Sequence, residues 1–475
     1  KVKKIFFVAS EAQPFFASGG LGDVIGSLPK RILKNAKGEF EVSVILPLYA
    51  KLNQAYKNKL IYIGQTTTKL SWRNQYCGIF KYEENGVKYY FKRDNFYGYF
   101  DDAERFAFFS KAAIDVMIFI DEIPDIIHVH DWQAGMLPIY LRTLYYHDTR
   151  FAKVKTVFTI HNIEYQGIYA YDQDIIEDVF GLSFNDGYLL EYLGKVNIMK
   201  GAMEAANFVT TVSPTYAEEI LQKEFAHGLE YETVRVKGEG KLKGILNGID
   251  KVFYNPAKDK ALFENYDKKS IEVKLKNKEE LQDMLDLPVD KNIPMIGMVS
   301  RLVSHKGLDL VKTIFEDLLA QKVQFVLLGT GDPYYEGYFK DLEYRHKNKL
   351  RVIIAFNQDL SRKIYASSDI FLMPSKSEPC GLSQMIASRY GSIPIVRETG
   401  GLKDSIRDFS SNNGNGYTFS GFDAYDMLKT ILRALHDYQD KDLWNKQVEM
   451  VMNKDFGWST SAKQYIRMYE EILEK

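Results

Sequence analysis

Short apolar runs alternate along this chain with longer stretches whose apolar residues recur every three or four positions. The first run, Ile5-Phe6-Phe7-Val8, is followed by residues 14–24, PFFASGGLGDV, and then by Leu21, Val24, Ile25, Leu28, Ile32 and Leu33 at helical spacings. That segment reads as strand, glycine turn and helix. Gly19 and Gly20 would let backbone N–H groups approach a ligand, and the helix start behind them favours an anion. The turn itself contains no Lys or Arg, so positive charge for a phosphate has to come from elsewhere.

The same grammar continues to the end. Residues 41–47, 126–130, 155–160 and 208–212 are β-rich and read as buried parallel strands, with a helical candidate at 103–120. In the second half, 294–300, 323–329, 351–356, 369–375 and 393–399 are strand candidates, and 308–320 has an apolar face at 308, 311, 314 and 318. The lysine-rich stretch around 267–280 reads as exposed and near the connection between the halves. At 475 residues the chain exceeds what one core usually serves. Alternation of this kind predicts two doubly wound α/β domains, whose ligands lie beyond the carboxyl ends of the strands.

Polar residues do follow the strands directly. After 126–130 come His128, His130 and Asp131 in HVHDWQAG. Three readings apply: a strand-end substrate site, two imidazoles of a metal hydrolase, or satisfied structural histidines. No convincing partner cluster follows to complete a metal site. After 155–160, His161 and Asn162 are placed to reach sugar hydroxyls, or Asn162 and Gly167 simply hold a turn. Arg301 and Lys306, in RLVSHKG after 294–300, combine a planar bidentate donor with a mobile point charge and suit a diphosphate. The GTGDP that follows 323–328 is too short for a dinucleotide fingerprint. Glu378 in PSKSEPCGLSQ is a carboxylate at a strand–loop–helix junction, and Thr399-Gly400-Gly401 form a second phosphate-type turn. Asp131 and Glu378 together suggest glycosidase chemistry. The phosphate features instead indicate a nucleotide leaving group, and so transfer.

Bulk properties narrow the class. Hydrophobic residues are 45%, charged residues 26% and the net charge −1, which fits a globular protein and disfavours nucleic acid or an anionic membrane as the main partner. Two cysteines, Cys77 and Cys380, provide neither a disulfide framework nor a zinc site. No apolar run reaches the roughly 18 residues of a membrane span, and no signal peptide precedes Lys1. The expectation is a soluble protein of a reducing compartment. The 32 Tyr and 30 Phe suit either cores or sugar faces.

Taken in order, SGGLGDVIGSLP, HVHDWQAGMLPIYL, FTIHNIEYQG, TTVSPTYAEEI, ILNGID, VSRLVSHKGLDLV, LLGTGDP, MPSKSEPCGLSQ and TGGLKDSI resemble the bacterial-type glycogen/starch synthase family. DFGWSTSAKQYIRMYEEIL resembles that family's C-terminus. The resemblance implies a GT-B fold, with two Rossmann-like domains facing across a deep cleft; because the expected site draws on both domains, the cleft is expected to close on the donor. The domains would be 1–245 and 246–455, with a C-terminal helix in 456–475 crossing back to the first. It implies glucosyl transfer from a nucleotide sugar, usually ADP-glucose, to the non-reducing end of an α-1,4-glucan such as glycogen, starch or maltodextrin. Retention of configuration, no cofactor, no metal and a cytoplasmic location follow, or a plastid if a transit peptide was removed.

Residue by residue, the resemblance places Arg301 and Lys306 on the diphosphate and Glu378 on the donor glucose hydroxyls. Asp131 and His161 line the sugar side, Asn247 matches another active-site position, and Phe356 falls near the adenine. Ser18, Gly19 and Gly20, with Thr399, Gly400 and Gly401, match the donor-side turns. One position departs: Ala17 stands where the family typically has lysine. That keeps open a UDP-glucose preference, or a glucan-binding homologue with impaired catalysis.

Overall fold

The apolar runs become parallel strands because, covered on both faces, they have no polar side to present. In the computed structural model, which describes residues 1–93 and 102–475, they fall into two units. One is Lys1–Asn247 together with Trp458–Lys475, and the other is Gly248–Gly457.

The first unit contains β1 (Lys3–Val8), β2 (Phe40–Pro47), β3 (Ile61–Leu70), β4 (Arg73–Glu84), β5 (Val87–Arg93), β6 (Ile126–His130), β7 (Lys155–Ile160), β8 (Ile168–Ala170), β9 (Glu191–Tyr192), β10 (Lys195–Asn197), β11 (Phe208–Thr211) and β12 (Leu242–Gly244). Among the described residues, nine of these form one sheet in the order β12-β11-β7-β6-β1-β2-β5-β4-β3. Pairing is parallel from β12 to β5, and β4 runs antiparallel to both its neighbours. Strand order reverses between β1 and β6, the place where doubly wound sheets open a crevice. β8, β10 and β9 make a small separate antiparallel sheet.

Helices cover this sheet through amphipathic stripes. The helix Gly20–Asn35 buries Leu21, Val24, Ile25, Leu28 and Ile32. The C-terminal helix, Ser459–Glu474, buries Ala462, Tyr465, Met468, Tyr469 and Ile472, and these share one core with Phe7, Ile25 and Ile32. Asn35 Nδ2 donates to the Ser459 carbonyl at 3.0 Å, which ties the two helices.

The second unit carries β13 (Met295–Val299), β14 (Gln324–Leu328), β15 (Leu350–Ile353), β16 (Ile370–Met373), β17 (Ile393–Arg397) and β18 (Tyr417–Phe419). Their order is β15-β14-β13-β16-β17-β18, all parallel. In chain order this is 3-2-1-4-5-6, the Rossmann arrangement, with its reversal between β13 and β16.

Two regions differ from the sequence reading. The lysine-rich stretch is exposed only in part: Lys268, Lys269 and Lys276 face solvent, but the helix Ile271–Met284 turns Lys274, Asn277, Lys278 and Leu281 inward. Lys274 Nζ donates to the Tyr365 and Ala366 carbonyls at 3.1 and 2.7 Å, and burial pushes its ammonium down to about 7. Lys278 Nζ lies 2.7 Å from Asp369 Oδ2 with both side chains buried. Charge count concealed a helical stripe whose polar heads find partners inside. The second difference is β3, β4 and β5, where polar and β-branched residues replace an apolar run. Their turn at Asn85-Gly86 takes φ of 53° and 81°, the mirror-image geometry that tight hairpins require.

Removing one partner of a buried ion pair strands the other charge. Asp369→Ala is expected to destabilise the second unit by about 3–5 kcal/mol, read as a lower urea midpoint. An unchanged midpoint would show that Lys278 is satisfied without it.

Candidate active-site residues at the strand ends

In the second unit, positive charge collects at the reversal between β13 and β16. Arg301 follows β13 and is exposed, and its guanidinium makes no hydrogen bond or ion pair among the described residues. Lys306 ends a short 3-10 turn ahead of the helix Leu308–Leu319. Gly307 follows at φ 80°, where an added Cβ would sit 2.0 Å from the Pro374 carbonyl, so only glycine lets this loop lie against the end of β16. Lys306 Nζ then reaches Glu378 Oε2 at 2.8 Å and Oε1 at 3.1 Å. Ser375 Oγ donates to Oε2 at 2.9 Å. Burial alone would raise the Glu378 carboxyl, but the Lys306 charge and these donors outweigh it and hold the group below the usual carboxylate range.

The loop from β17 closes on the same carboxylate's backbone. Gly401 N–H donates to the Glu378 carbonyl at 3.2 Å, and a Cβ on Gly400, φ 45°, would lie 1.8 Å from that oxygen. Thr399 is fully buried immediately ahead of the short helix Gly400–Ser405. Lys306, Glu378, Thr399, Gly400 and Gly401 are therefore neighbours. Phe356 lies beyond β15, since that strand ends at Ile353 and not at 356. The residue is 81% exposed, which a core aromatic would not be.

In the first unit, the reversal between β1 and β6 brings together Glu11, the glycine turn and Asp131. Glu11 is buried and accepts from Ser18 N–H at 2.8 Å, Ser18 Oγ at 2.7 Å and Gly22 N–H at 3.1 Å. Ser18 is thus committed to Glu11, whereas Gly19 and Gly20 are exposed. Sequence reasoning missed Glu11, and its only signal was a carboxylate placed between a strand end and the glycine turn. Ala17 is half-buried beside it.

Asp131 sits at φ 59° and ψ 177°, a region essentially reserved for glycine that costs on the order of 1–3 kcal/mol. Its N–H donates to the Thr159 carbonyl at 2.9 Å, and its Oδ1 accepts from His161 N–H at 2.8 Å. Protein surrounds it on most sides, although part of its surface stays open. That burial, with the nearby Glu11 charge, pushes its carboxyl up to about 7 against the lowering effect of the His161 and Asn162 amides.

His161 turns Nε2 toward His130 Nδ1 at 2.9 Å. His128 is a satisfied core residue: Nδ1 meets Tyr469 Oη and Nε2 meets Thr159 Oγ1, both at 2.6 Å. Burial pushes the imidazoles of His128 and His161 down to about 3 and that of His130 well below its ordinary value. No group of three or more His, Cys, Asp and Glu able to hold a metal occurs among the described residues. Asn162 serves as a turn residue, its Oδ1 accepting from Glu164 N–H at 3.0 Å. Asn247 is buried with an Oδ1 that has no partner among the described residues, which a ligand donor would satisfy. No helix among the described residues is long and apolar enough to cross a membrane.

Residues 4–233 match the family described as starch synthase catalytic domain, and residues 278–450 match glycosyl transferases group 1. The glycogen synthase of Alkaliphilus metalliredigens is 47% identical over 99% of this chain and 100% of its own. That of Anoxybacillus flavithermus is 44% identical over 99% and 98%. Among solved structures, the catalytic domain of starch synthase IV from Arabidopsis thaliana bound to ADP and acarbose superposes with TM-score 0.91 at 34% identity, covering both chains fully. Sucrose-phosphate synthase from Thermosynechococcus elongatus shares the fold, with TM-score 0.61 at 15% identity over 99% of each chain. The chain has the two-domain α/β fold of GT-B glycosyltransferases and belongs to the glycogen/starch synthase family.

Proposed function

We propose that this enzyme transfers glucose from ADP-glucose to the non-reducing end of an α-1,4-glucan, retaining the anomeric configuration and using no metal ion. The observation that carries the reading is the Lys306–Glu378 pair at the β13–β16 reversal. Cleaving a sugar–phosphate bond builds negative charge on the nucleotide and positive charge on the sugar. Lys306 and the unpaired Arg301 address the first, and preorganised cations act mainly in the transition state. Glu378 accepts hydroxyl donors from the glucose, with Thr399, Gly400 and Gly401 on the phosphate side and Phe356 against the adenine. Asp131, His161 and Asn247 serve the sugar, and the turn at Ser18, Gly19 and Gly20 serves the donor. ADP and acarbose in the starch synthase relative, a nucleoside diphosphate and a saccharide, support both substrate classes. The bacterial glycogen synthases support a cytoplasmic setting.

Both Glu378 oxygens are held by Lys306, and one also by Ser375. That supports binding over nucleophilic attack, and front-face transfer in which the leaving phosphate takes the acceptor hydroxyl's proton. Label from ADP-glucose is expected to enter glycogen. Arg301→Ala should lower kcat roughly 100- to 1,000-fold with an unchanged melting temperature, because the side chain has no partner to strand. No incorporation by folded wild-type protein from ADP-glucose would overturn the assignment.

With Arg301 and Lys306 neutralising the phosphates, saturating EDTA should leave the initial rate within about twofold; its loss and restoration by Mg²⁺ would refute the metal-free reading.

Asp131 gives a pH test. Its folded pKa, about 7, lies above the unfolded value, so the folded chain holds the extra proton and stability falls as pH rises from about 4 to 7. Asp131→Asn should therefore melt higher than wild type at pH 8 and equally at pH 4, while losing activity. Equal melting at pH 8 would mean the carboxylate is not destabilised.

A further inference from the structure

His130 is a buried polar residue for which the reaction as described has no use. Its ring is fully buried and packs against both Phe7 (centroids 5.6 Å apart, planes 13° apart) and His128 (4.2 Å, 23°), which also touch each other at 5.0 Å. His128 is itself fixed by Tyr469 and Thr159, so the whole stack is anchored in the core. Among the described residues, the one hydrogen bond the His130 ring makes is Nδ1 to His161 Nε2, at 2.9 Å, and its Nε2 has no partner.

A bond between two neutral imidazoles needs one N–H and one lone pair. If His161 supplied the proton, His130 would carry its proton on Nε2, leaving a buried N–H without an acceptor. Orphaned buried N–H groups are rarer than under-satisfied acceptors because nothing repays their desolvation. The other arrangement has His130 Nδ1–H donating to His161 Nε2. His161 must then carry its proton on Nδ1, the ring nitrogen that makes no hydrogen bond among the described residues and is not among the buried unpartnered atoms.

We propose that His130 is a positioning residue that fixes His161 as the Nδ1–H tautomer, so that His161 presents a hydrogen-bond donor to a hydroxyl of the transferred sugar. The functional half of this inference rests on the sugar-side role of His161 given above; the tautomer half stands on the geometry of the pair alone. An orienting partner that sets a tautomer controls catalysis without touching substrate.

The test pairs a spectrum with kinetics. In protein carrying ¹⁵N-labelled histidine, His161, assigned with His161→Gln, should show a protonated Nδ1 and an unprotonated Nε2. A protonated Nε2 in wild type would overturn the proposal whatever the activity. His130→Phe keeps the stacked ring and removes the donor. It should lower kcat roughly 10- to 100-fold with little change in acceptor KM, and move the His161 proton toward Nε2. His130→Asn, whose amide nitrogen falls where Nδ1 was, should recover most of kcat. Wild-type kcat in folded His130→Phe, or failure of His130→Asn where His130→Phe folds, would contradict the positioning role. If His130→Phe does not fold, the wild-type spectrum still decides. Absence of any glucosyl transfer by wild type, with the Nδ1–H tautomer present, would instead count against the proposed function.

Discussion

A buried carboxylate next to a lysine organises the second unit. Glu378 is buried, and a lone charge there would be forced to take up a proton. Lys306 and Ser375 keep it ionised instead. That arrangement constrains three loops at once: the one after β13 must deliver Lys306, the one after β16 must hold Glu378, and the one after β17 must pack on the Glu378 backbone. Gly307 and Gly400 occur where a side chain would collide with the Pro374 and Glu378 carbonyls. The pair thus holds three loops together at one point.

The first unit handles its charges differently. Glu11 is satisfied by three donors from the glycine turn, and this ties the turn to the end of β1. Asp131 receives less compensation and sits in a strained backbone region, so its ionised form costs stability. Such sites are where proteins give up stability for function. Beneath Asp131 the histidine stack reaches from Tyr469 on the C-terminal helix to His161. A helix more than 300 residues away in sequence, |i−j| = 341, thereby braces a strand-end side chain.

Much of this was legible in sequence because parallel strands are buried on both faces and therefore appear as apolar runs. Strands β6 and β7 occur where the runs at 126–130 and 155–160 were read, and the polar residues after them lie at the carboxyl edge by necessity. Hydropathy was silent about β3 to β5, where polar and charged residues interrupt the apolar ones. It also misled at Lys274 and Lys278, since a residue's charge does not say whether a partner such as Asp369 awaits inside. Glu11 was passed over and His130 could not be told from a metal ligand or a structural histidine, for a related reason: their roles depend on neighbours distant in sequence. The motif around residues 18–20 suggested an anion site, but not that Ser18 would be held by a carboxylate.

Retaining glucosyl transfer leaves its signature in the product. Its most direct test is proton NMR of the product formed from ADP-glucose and a short maltooligosaccharide. A new α-1,4 linkage on the non-reducing glucose is expected, with ADP released in equal amount. A β linkage, or free glucose in place of an extended chain, would contradict it.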